Sequence, residues 1–233
     1  MATPTELEPV PRDRVLPWST PTFSSARRHS LSRPGEPPPR TFLEVLRARR
    51  SRPRIGTIHE GDLSCLLWHS MLIRERRPGS SNYLEWESRA CPSAGGLHPI
   101  HLLCLPLDGS LPLGIYDPRY HEILVLGIDR APLILANALS VERLCNASSG
   151  LTLQFVADRA KTGAAYLNGE SLPWRDAGAL SATIGLVAEA LRLAATPLGR
   201  TGDDLLAAAG LTDQRWMGVG AIHITGSSQS RTL

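Results

Sequence analysis

The segment from Asp176 to Ala195 constrains the fold more than any other part of this sequence, because it is a long helical pattern with very few polar residues. Large aliphatic side chains recur on one face of this helix: Leu180, Ile184, Val187 and Leu191. Alanine and glycine fill much of the remaining surface. A helix of this composition is buried nearly all round, so we expect it at the centre of a domain or across a dimer interface.

Shorter patterns before and after this helix alternate between strands and helices. Helical spacing predicts helices over 42–50 (with Phe42, Val45 and Leu46 as the apolar face), 62–74, 133–144 and 205–209. Apolar runs bounded by turn residues predict strands over 100–106, 113–116, 122–126, 151–157 and 220–225, the second and third forming a hairpin. This order of elements indicates an α+β or mixed α/β protein.

Composition limits the class of protein further. The 233 residues suit one substantial domain, and a net charge of +3 is too small to indicate a nucleic acid or an acidic membrane as partner. The four cysteines have no Cys-x-x-Cys spacing and form no zinc pattern with histidine, so neither a disulfide scaffold nor a metal site is predicted. The start shows no signal-peptide pattern, and no apolar run is long enough to span a membrane. We expect a cytoplasmic protein.

Residues 1–40 differ from the rest of the chain. They are rich in Pro, Ser, Thr and Arg, and the triplet Pro37-Pro38-Pro39 must be extended. We predict an extended or partly disordered arm over 1–40 and a domain over 41–233. Two interpretations of the arm stay open, namely a segment ordered against another surface, such as a second subunit, and a disordered tail.

Arg49, Arg50 and Ser51 follow each other at the end of the first predicted helix. Two guanidinium groups and a hydroxyl suit a phosphate group. The alternative is a solvated basic helix end, where arginine also complements the helix dipole.

A second candidate segment is Pro92-Ser93-Ala94-Gly95-Gly96-Leu97-His98-Pro99. Two adjacent glycines let the backbone approach a flat ligand closely, because no Cβ intervenes. The run leads into a strand and is followed by no Gly-Lys-Ser/Thr, so it is neither a Rossmann loop nor a Walker loop. A purely structural turn is the alternative.

The order of these segments resembles the nitroreductase superfamily, and the Pro92–Pro99 run resembles that of the SagB-type dehydrogenases. The likeness continues through Gly114-Ile115-Tyr116-Asp117-Pro118, Trp174-Arg175-Asp176-Ala177-Gly178 and Thr196-Pro197-Leu198-Gly199. It covers roughly residues 42 to 226. The resemblance implies a nitroreductase-like α+β fold, with a central, mainly antiparallel sheet flanked by helices.

The resemblance also implies FMN bound between the two subunits of a homodimer. By position, the phosphate or ribityl chain would contact Arg49, Arg50, Ser51 and, late in the chain, Arg231. The flavin ring would lie against Pro92, Ser93, Ala94, Gly95 and Gly96, with Gly199 in a turn that reaches the flavin from the other side. The candidate acid–base or substrate groups are Lys161, Tyr166, Arg175 and His98.

Two departures from the family pattern keep the activity open. Pro53 stands where many relatives have a basic residue, and Leu172-Pro173-Trp174-Arg175 does not reproduce the Lys-Tyr pair of azoline-oxidising members. The first hypothesis is an FMN-dependent, SagB-type dehydrogenase that acts on a peptide-derived or carrier-bound substrate in natural-product biosynthesis. The alternatives are an NAD(P)H-dependent nitroreductase or ene-type reductase, and a flavin-free homologue that serves as an interaction partner.

Overall fold

The computed structural model describes residues 7–37, 39–51 and 56–226. Its helices are α1 (Phe42–Ala48), α2 (Glu60–Met71), α3 (Arg130–Cys145), α4 (Arg159–Ala165), α5 (Leu172–Ala190) and α6 (Asp203–Ala208). Its first strands are β1 (Val10–Pro11), β2 (Ser25–Ser30), β3 (Ile73–Arg77), β4 (Trp86–Arg89), β5 (Ile100–Pro106) and β6 (Gly114–Asp117). The remaining strands are β7 (Glu122–Leu126), β8 (Leu151–Asp158), β9 (Tyr166–Leu167), β10 (Ala194–Leu198) and β11 (Trp216–Thr225).

The centre of the fold is a seven-stranded sheet in the order β10-β11-β8-β5-β6-β7-β2. Every neighbouring pair in this sheet is antiparallel. Helices lie on both faces of the sheet, α2 and α5 on one and α3 and α6 on the other. The predicted α+β class with a central antiparallel sheet flanked by helices is therefore confirmed.

Strand β5 shows why the sheet carries helices on both faces. Leu102 and Cys104 point to the core beneath α2 and α5, whereas Leu103 and Leu105 point to the core beneath α3 and α6. All four side chains are at most 1% exposed. A strand covered on both sides has an uninterrupted apolar run, and each buried leucine stabilises the fold by about 1.5–3 kcal/mol.

Helix α5 packs its aliphatic face against α2 and the sheet, but it is not buried all round within one chain. Leu180 and Ile184 are buried, whereas Gly178 and Ala182 face outward and Trp174 is 46% exposed. The expectation of burial on nearly every side is therefore not met by a single chain. The helix begins at Leu172, earlier than predicted, with Pro173 in its first turn, where the missing N–H costs nothing. It ends at Ala190, because Ala194–Leu198 pairs with β11 as an edge strand.

Helix α1 is capped at its start by Thr41. The Thr41 hydroxyl accepts a hydrogen bond from the Glu44 backbone N–H, and the Glu44 carboxylate accepts one from the Thr41 N–H, which makes a capping box. The predicted apolar face is wrong in part, since Val45 is buried but Phe42 and Leu46 are exposed.

The hairpin of β3 and β4 does not follow from the hydrophobic pattern. The predicted helix over 62–74 ends at Met71, and the arginine-rich segment Ile73–Arg77 pairs with Trp86–Arg89 instead. Most side chains of β3 are exposed, so the segment has no apolar alternation by which a strand is recognised.

The described residues before residue 41 lie largely along the domain. Val10 and Pro11 pair with Leu167 and Tyr166, and Ser25–Ser30 pairs with β7 as the edge strand of the main sheet. Between these strands, the backbone N–H of Leu16 donates to the carbonyl of Ala164. We refer to residues 9–24 as the strap, because they cross the surface of the domain from β1 to β2.

Candidate functional site

The segment from Pro92 to Pro99 forms a tight loop between β4 and β5. Its centre, Ala94–Gly96, is one turn of 3₁₀ helix, closed by hydrogen bonds from the Gly96 N–H to the Ser93 carbonyl and from the Leu97 N–H to the Ala94 carbonyl. Gly95, Gly96 and His98 all have positive φ, at +60°, +63° and +48°. We call residues 93–96 the glycine loop.

Both glycines are required by their own surroundings. A Cβ on Gly95 would lie 2.7 Å from the Tyr166 hydroxyl, and one on Gly96 would lie 2.2 Å from the indole nitrogen of Trp86. Side chains at these positions would be strained by the positive φ and would also collide with an aromatic ring. The glycines therefore allow a tight turn, and the exposed Gly95 lies at the outer surface of the loop.

Asp176, at the first turns of α5, fixes the glycine loop. Its two carboxylate oxygens accept hydrogen bonds from the Ser93 hydroxyl at 2.5 Å and from the Ala94 backbone N–H at 3.1 Å. The Ser93 hydroxyl oxygen in turn accepts the His98 N–H at 2.9 Å, so three consecutive contacts hold the loop. Burial raises the pKa of Asp176, while the hydrogen bonds from Ser93 and Ala94 act in the opposite direction.

Arg49 and Ser51 form a second cluster at the end of α1. The Arg49 guanidinium donates to the Ser51 hydroxyl at 2.9 Å, and the Arg49 side chain lies against Gly185 of α5. The Arg50 guanidinium turns back and donates to the carbonyls of Arg47 and Arg49. Within the ranges that the structure describes, no carboxylate forms an ion pair with either Arg49 or Arg50. This donor set fits a phosphate group, which needs charged N–H donors and a hydroxyl.

The glycine loop and the Arg49 cluster lie on opposite sides of α5. Asp176 contacts the loop and Gly185 contacts Arg49, and these positions are nine residues apart, or two and a half helical turns. Positions 176 and 185 therefore face opposite sides of α5 and are separated by roughly 13 Å along the helix axis. A flat cofactor with one phosphate that touched both clusters of one chain would have to cross the helix.

Lys161 and His98 line a common cavity on the other side of the glycine loop, beneath the strap. The His98 Nε2 lies 3.0 Å from the Glu87 carbonyl oxygen, and burial lowers the pKa of His98 to about 4, so its ring is neutral near pH 7. Lys161 is 6% exposed, and burial lowers its pKa to about 8.

The remaining predicted site residues are spread over the surface. The Tyr166 hydroxyl lies beside Gly95, whereas Arg175 is exposed on α5 next to Asp176. Pro92 is exposed at the start of the loop, and Gly199 is exposed after β10, with open space where its Cβ would be. Arg231 and Pro53 lie outside the described residues.

Three residues next to the predicted site were not singled out from the sequence: Asp176, Trp86 and Glu87. Asp176 carried a usable signal, because it is an isolated acid at the start of a helix that is otherwise poor in polar residues. Glu87 is 2% exposed and is bound by Arg89, but a glutamate within an arginine-rich stretch gives no sign of burial in the sequence. No helix among the described residues is long and apolar enough to cross a membrane, and no group of three potential metal ligands occurs among them.

Comparison with solved structures identifies the fold. A nitroreductase-type protein from Ralstonia eutropha JMP134 aligns with 96% of this chain and 100% of its own length, at 18% identity and a TM-score of 0.62. A nitroreductase-type protein from Desulfovibrio desulfuricans, solved in complex with FMN, aligns with 84% of this chain and 94% of its own, at 21% identity and a TM-score of 0.52.

A chain of the E. coli microcin synthetase McbBCD complex, solved with truncated pro-MccB17 bound, aligns with 86% of this chain and 79% of its own, at 17% identity and a TM-score of 0.56. No protein-family model and no curated protein sequence matches the chain. The chain has the nitroreductase fold, which confirms at the level of the fold the resemblance stated for its motifs.

Proposed function

We propose that this protein is an FMN-dependent oxidoreductase that works as a homodimer, with each FMN held between two chains. The observation that carries the proposal is the pair of clusters on opposite sides of α5. Arg49 and Ser51 offer donors for a phosphate that no described carboxylate neutralises, and the glycine loop offers an exposed backbone for a flat ring.

The separation of these clusters supports a dimer. One chain cannot bring both clusters to the same small ligand, because α5 stands between them. In a twofold dimer packed along α1 and α5, the Arg49 cluster of one chain would lie beside the glycine loop of its partner. Because of the symmetry, the dimer would contain two such sites. The exposed Phe42, Leu43 and Leu46 of α1 and the outward Gly178 and Ala182 of α5 support this interface, since they are apolar or small and solvent-facing in one chain.

The residues of the chain would hold and tune the cofactor rather than carry the chemistry themselves. Bound FMN supplies the exchange of a hydride with an organic substrate. Arg49 and Ser51 would bind its phosphate, while Asp176 keeps Ser93 and Ala94 in a fixed position from which the loop contacts the ring. Tyr166, whose hydroxyl lies beside Gly95, is the acid–base candidate at the glycine loop, and Lys161 and His98 would act from the cavity behind the loop.

Within this class, we propose a SagB-type dehydrogenase that acts on a peptide-derived or carrier-bound substrate in natural-product biosynthesis. The Pro92–Pro99 sequence supports this, and so does the fold shared with a chain of a synthetase complex solved with a precursor peptide bound. An NAD(P)H-dependent nitroreductase or ene-type reductase is the second candidate, supported by the fold shared with nitroreductase-type proteins. Two measurements separate these candidates. In a reductase, NADH or NADPH added without oxygen should reduce the flavin and bleach its absorption. In a SagB-type dehydrogenase, neither nucleotide should bleach the flavin, and the enzyme should oxidise an azoline peptide in the presence of oxygen.

The cofactor proposal is tested by the absorption spectrum of the purified protein and by the identity of the flavin released on denaturation. The expected result is a yellow protein that releases FMN. A colourless protein that cannot be reconstituted with FMN would support the flavin-free alternative and overturn the enzyme proposal.

Substitution at the end of α1 tests the phosphate contact. Arg49→Ala should weaken FMN binding roughly tenfold or more, or about 1.4 kcal/mol, because a charge-assisted contact to phosphate is lost. Arg50→Ala should weaken it less, since the Arg50 guanidinium is bonded to the carbonyls of its own helix end. Arg47→Ala, an exposed arginine in the last turn of the same helix, is the matched control and should leave the affinity unchanged. Equal affinities for all three variants would remove this assignment.

A further inference from the structure

Beneath the strap lies a cavity of about 100 Å³. Trp18 and Phe23 of the strap close it on one side, and Ile100, Ile115 and Leu124 of the sheet form much of its apolar wall. The polar side chains that line it include Lys161 and His101. Its volume corresponds to roughly three water molecules or one small organic molecule.

Lys161 is buried in this cavity without a counter-ion of its own. Among the described residues, its ammonium group has no hydrogen-bond acceptor and no carboxylate at ion-pair distance, and it lies over the ring of Trp18, whose centroid is 5.0 Å from Nζ. An ammonium group has three N–H donors, and the face of an indole ring satisfies only part of that requirement. A charged group that is held almost entirely out of water and lacks hydrogen-bond acceptors favours an additional acceptor in the cavity.

The carboxylates near Lys161 are already bound by arginines. Glu87 forms ion pairs with Arg89 and Arg119, and Asp158 accepts hydrogen bonds from Arg215. The Trp18 indole N–H also donates to Asp158 at 3.0 Å. These carboxylates raise the pKa of Lys161 through their charge, but none of them forms the direct contact that the ammonium group lacks.

His101 is a second unpartnered polar group in the same cavity. Its ring stacks edge-on against Phe23 and Trp216, and neither ring nitrogen has a hydrogen-bond partner in the part of the chain that the structure describes. Burial lowers the pKa of His101 to about 3, and the charge of Lys161 acts in the same direction. The ring is therefore neutral near pH 7 and retains one N–H donor.

We propose that this cavity is a binding site for a small aliphatic monocarboxylate, whose carboxylate group is held by Lys161 with His101 as a further donor, and whose short tail lies against the apolar wall. One unpartnered cation matches one negative charge. A dianion such as phosphate would bring a second charge without a free partner, because the lining residues Arg89 and Arg119 are already bound to Glu87 and the lining residue Asp117 is itself an acid. The site is separate from the proposed FMN site, which uses the outer surface of the glycine loop and the Arg49 cluster, and it does not depend on FMN binding.

Calorimetric titration of the 233-residue chain, with and without added FMN, tests the proposal. The probe is propionate, and propionamide is its neutral isostere. Propionate should bind saturably, and propionamide should bind at least roughly tenfold more weakly, because only the anion pairs with Lys161. The same difference is expected whether or not the protein takes up FMN, so failure of this proposal is distinguishable from failure of the cofactor proposal.

Variants assign the binding to Lys161. Lys161→Met keeps the length and apolar character of the buried stem and should abolish the preference for propionate over propionamide. Arg159→Met, an exposed substitution on the same helix, is the matched control and should keep the preference. If Lys161→Met does not fold, Lys161→Gln serves in its place. Absence of saturable binding, equal binding of propionate and propionamide, unchanged binding in the Lys161 variants, or tighter binding of phosphate than of propionate would overturn the proposal.

The pH dependence gives a second readout. The charged groups that act on Lys161 are Glu85, Glu87, Arg89 and Asp158, and their combined effect with burial sets its pKa at about 8, while His98 and His101 stay neutral. Lys161 is charged below that pH and loses its charge above it. Propionate affinity should therefore be constant between about pH 6 and 7 and fall roughly tenfold per pH unit well above pH 8, a fall that the Lys161→Met variant should not show. An affinity that stays constant up to about pH 10 would contradict the role of Lys161.

Discussion

At the scale of single residues, Asp176 holds the glycine loop of the proposed cofactor site in place. It lies 83 positions after Ser93 in the sequence, yet its carboxylate accepts hydrogen bonds from both Ser93 and Ala94. The group is buried, so the loss of its carboxylate would leave the Ala94 N–H and the Ser93 hydroxyl without their acceptors. The shape of the glycine loop therefore depends on one side chain of α5.

Asp176→Ala should lower the free energy of unfolding by about 1–3 kcal/mol, the usual cost of leaving a buried donor unsatisfied. Urea unfolding followed by circular dichroism measures this. Asp204→Ala, in the exposed first turn of α6, is the control and should change the free energy by less than about 0.5 kcal/mol. Equal unfolding midpoints for Asp176→Ala and the wild-type protein would show that the loop does not depend on this carboxylate.

The glycine loop itself could be predicted from the sequence, because two adjacent glycines between prolines indicate a tight turn. Its contacts could not be predicted: the isolated acid Asp176 is noticeable in the sequence, but Asp176, Tyr166 and Trp86 reach the loop only through the packing of α5, β9 and β4. The same holds for Arg50. Its position next to Arg49 suggests an equal role, whereas the structure shows its guanidinium bonded to the end of its own helix.

At the scale of elements, the strongly patterned segments can be predicted close to their observed bounds. The strands at Ile100–Pro106 and Glu122–Leu126 match, since buried strands have continuous apolar runs. Strand β3 could not be predicted, because its side chains are mostly charged and exposed. The sequence pattern assigns the start of β10 to the helix before it, because an Ala-rich edge strand has the same composition as a buried helix. Pairing with β11, which lies further along the chain, decides the structure of that segment.

Through strand β2, the amino-terminal segment is part of the main sheet. Two deletions should separate the contribution of β2 to stability and solubility from that of the strap. Removal of residues 1–23 takes away β1 and nearly all of the strap and should leave a folded, soluble protein. Removal of residues 1–30 also takes away β2, exposing the edge of β7, and should cause aggregation or a clearly lower unfolding midpoint. Size-exclusion chromatography and urea unfolding compare the two. Equal solubility and stability of both deletions would contradict the role of β2.

At the scale of the whole molecule, the arrangement of clusters around α5 supports the proposed dimer. The helix pattern predicts burial on all sides, whereas the single chain leaves Gly178 and Ala182 outward and Phe42 and Leu46 of the adjacent α1 exposed. The sequence pattern and the structure are reconciled if a second copy covers this surface. The same arrangement would bring the Arg49 cluster to the glycine loop of the partner.

Subunit exchange between two defective variants tests this central claim most directly. Arg49→Ala removes the phosphate contact, and Gly95→Leu distorts the glycine loop, because a side chain at this position collides with Tyr166 and is strained by the positive φ. Each variant alone should retain little FMN. After mixing and random exchange, about half of the dimers contain one chain of each kind, and each of these has one intact site of two, so about a quarter of the wild-type FMN content should return. Mixing that restores no FMN, although mass spectrometry shows that the chains have exchanged, would contradict a cofactor site shared between two chains.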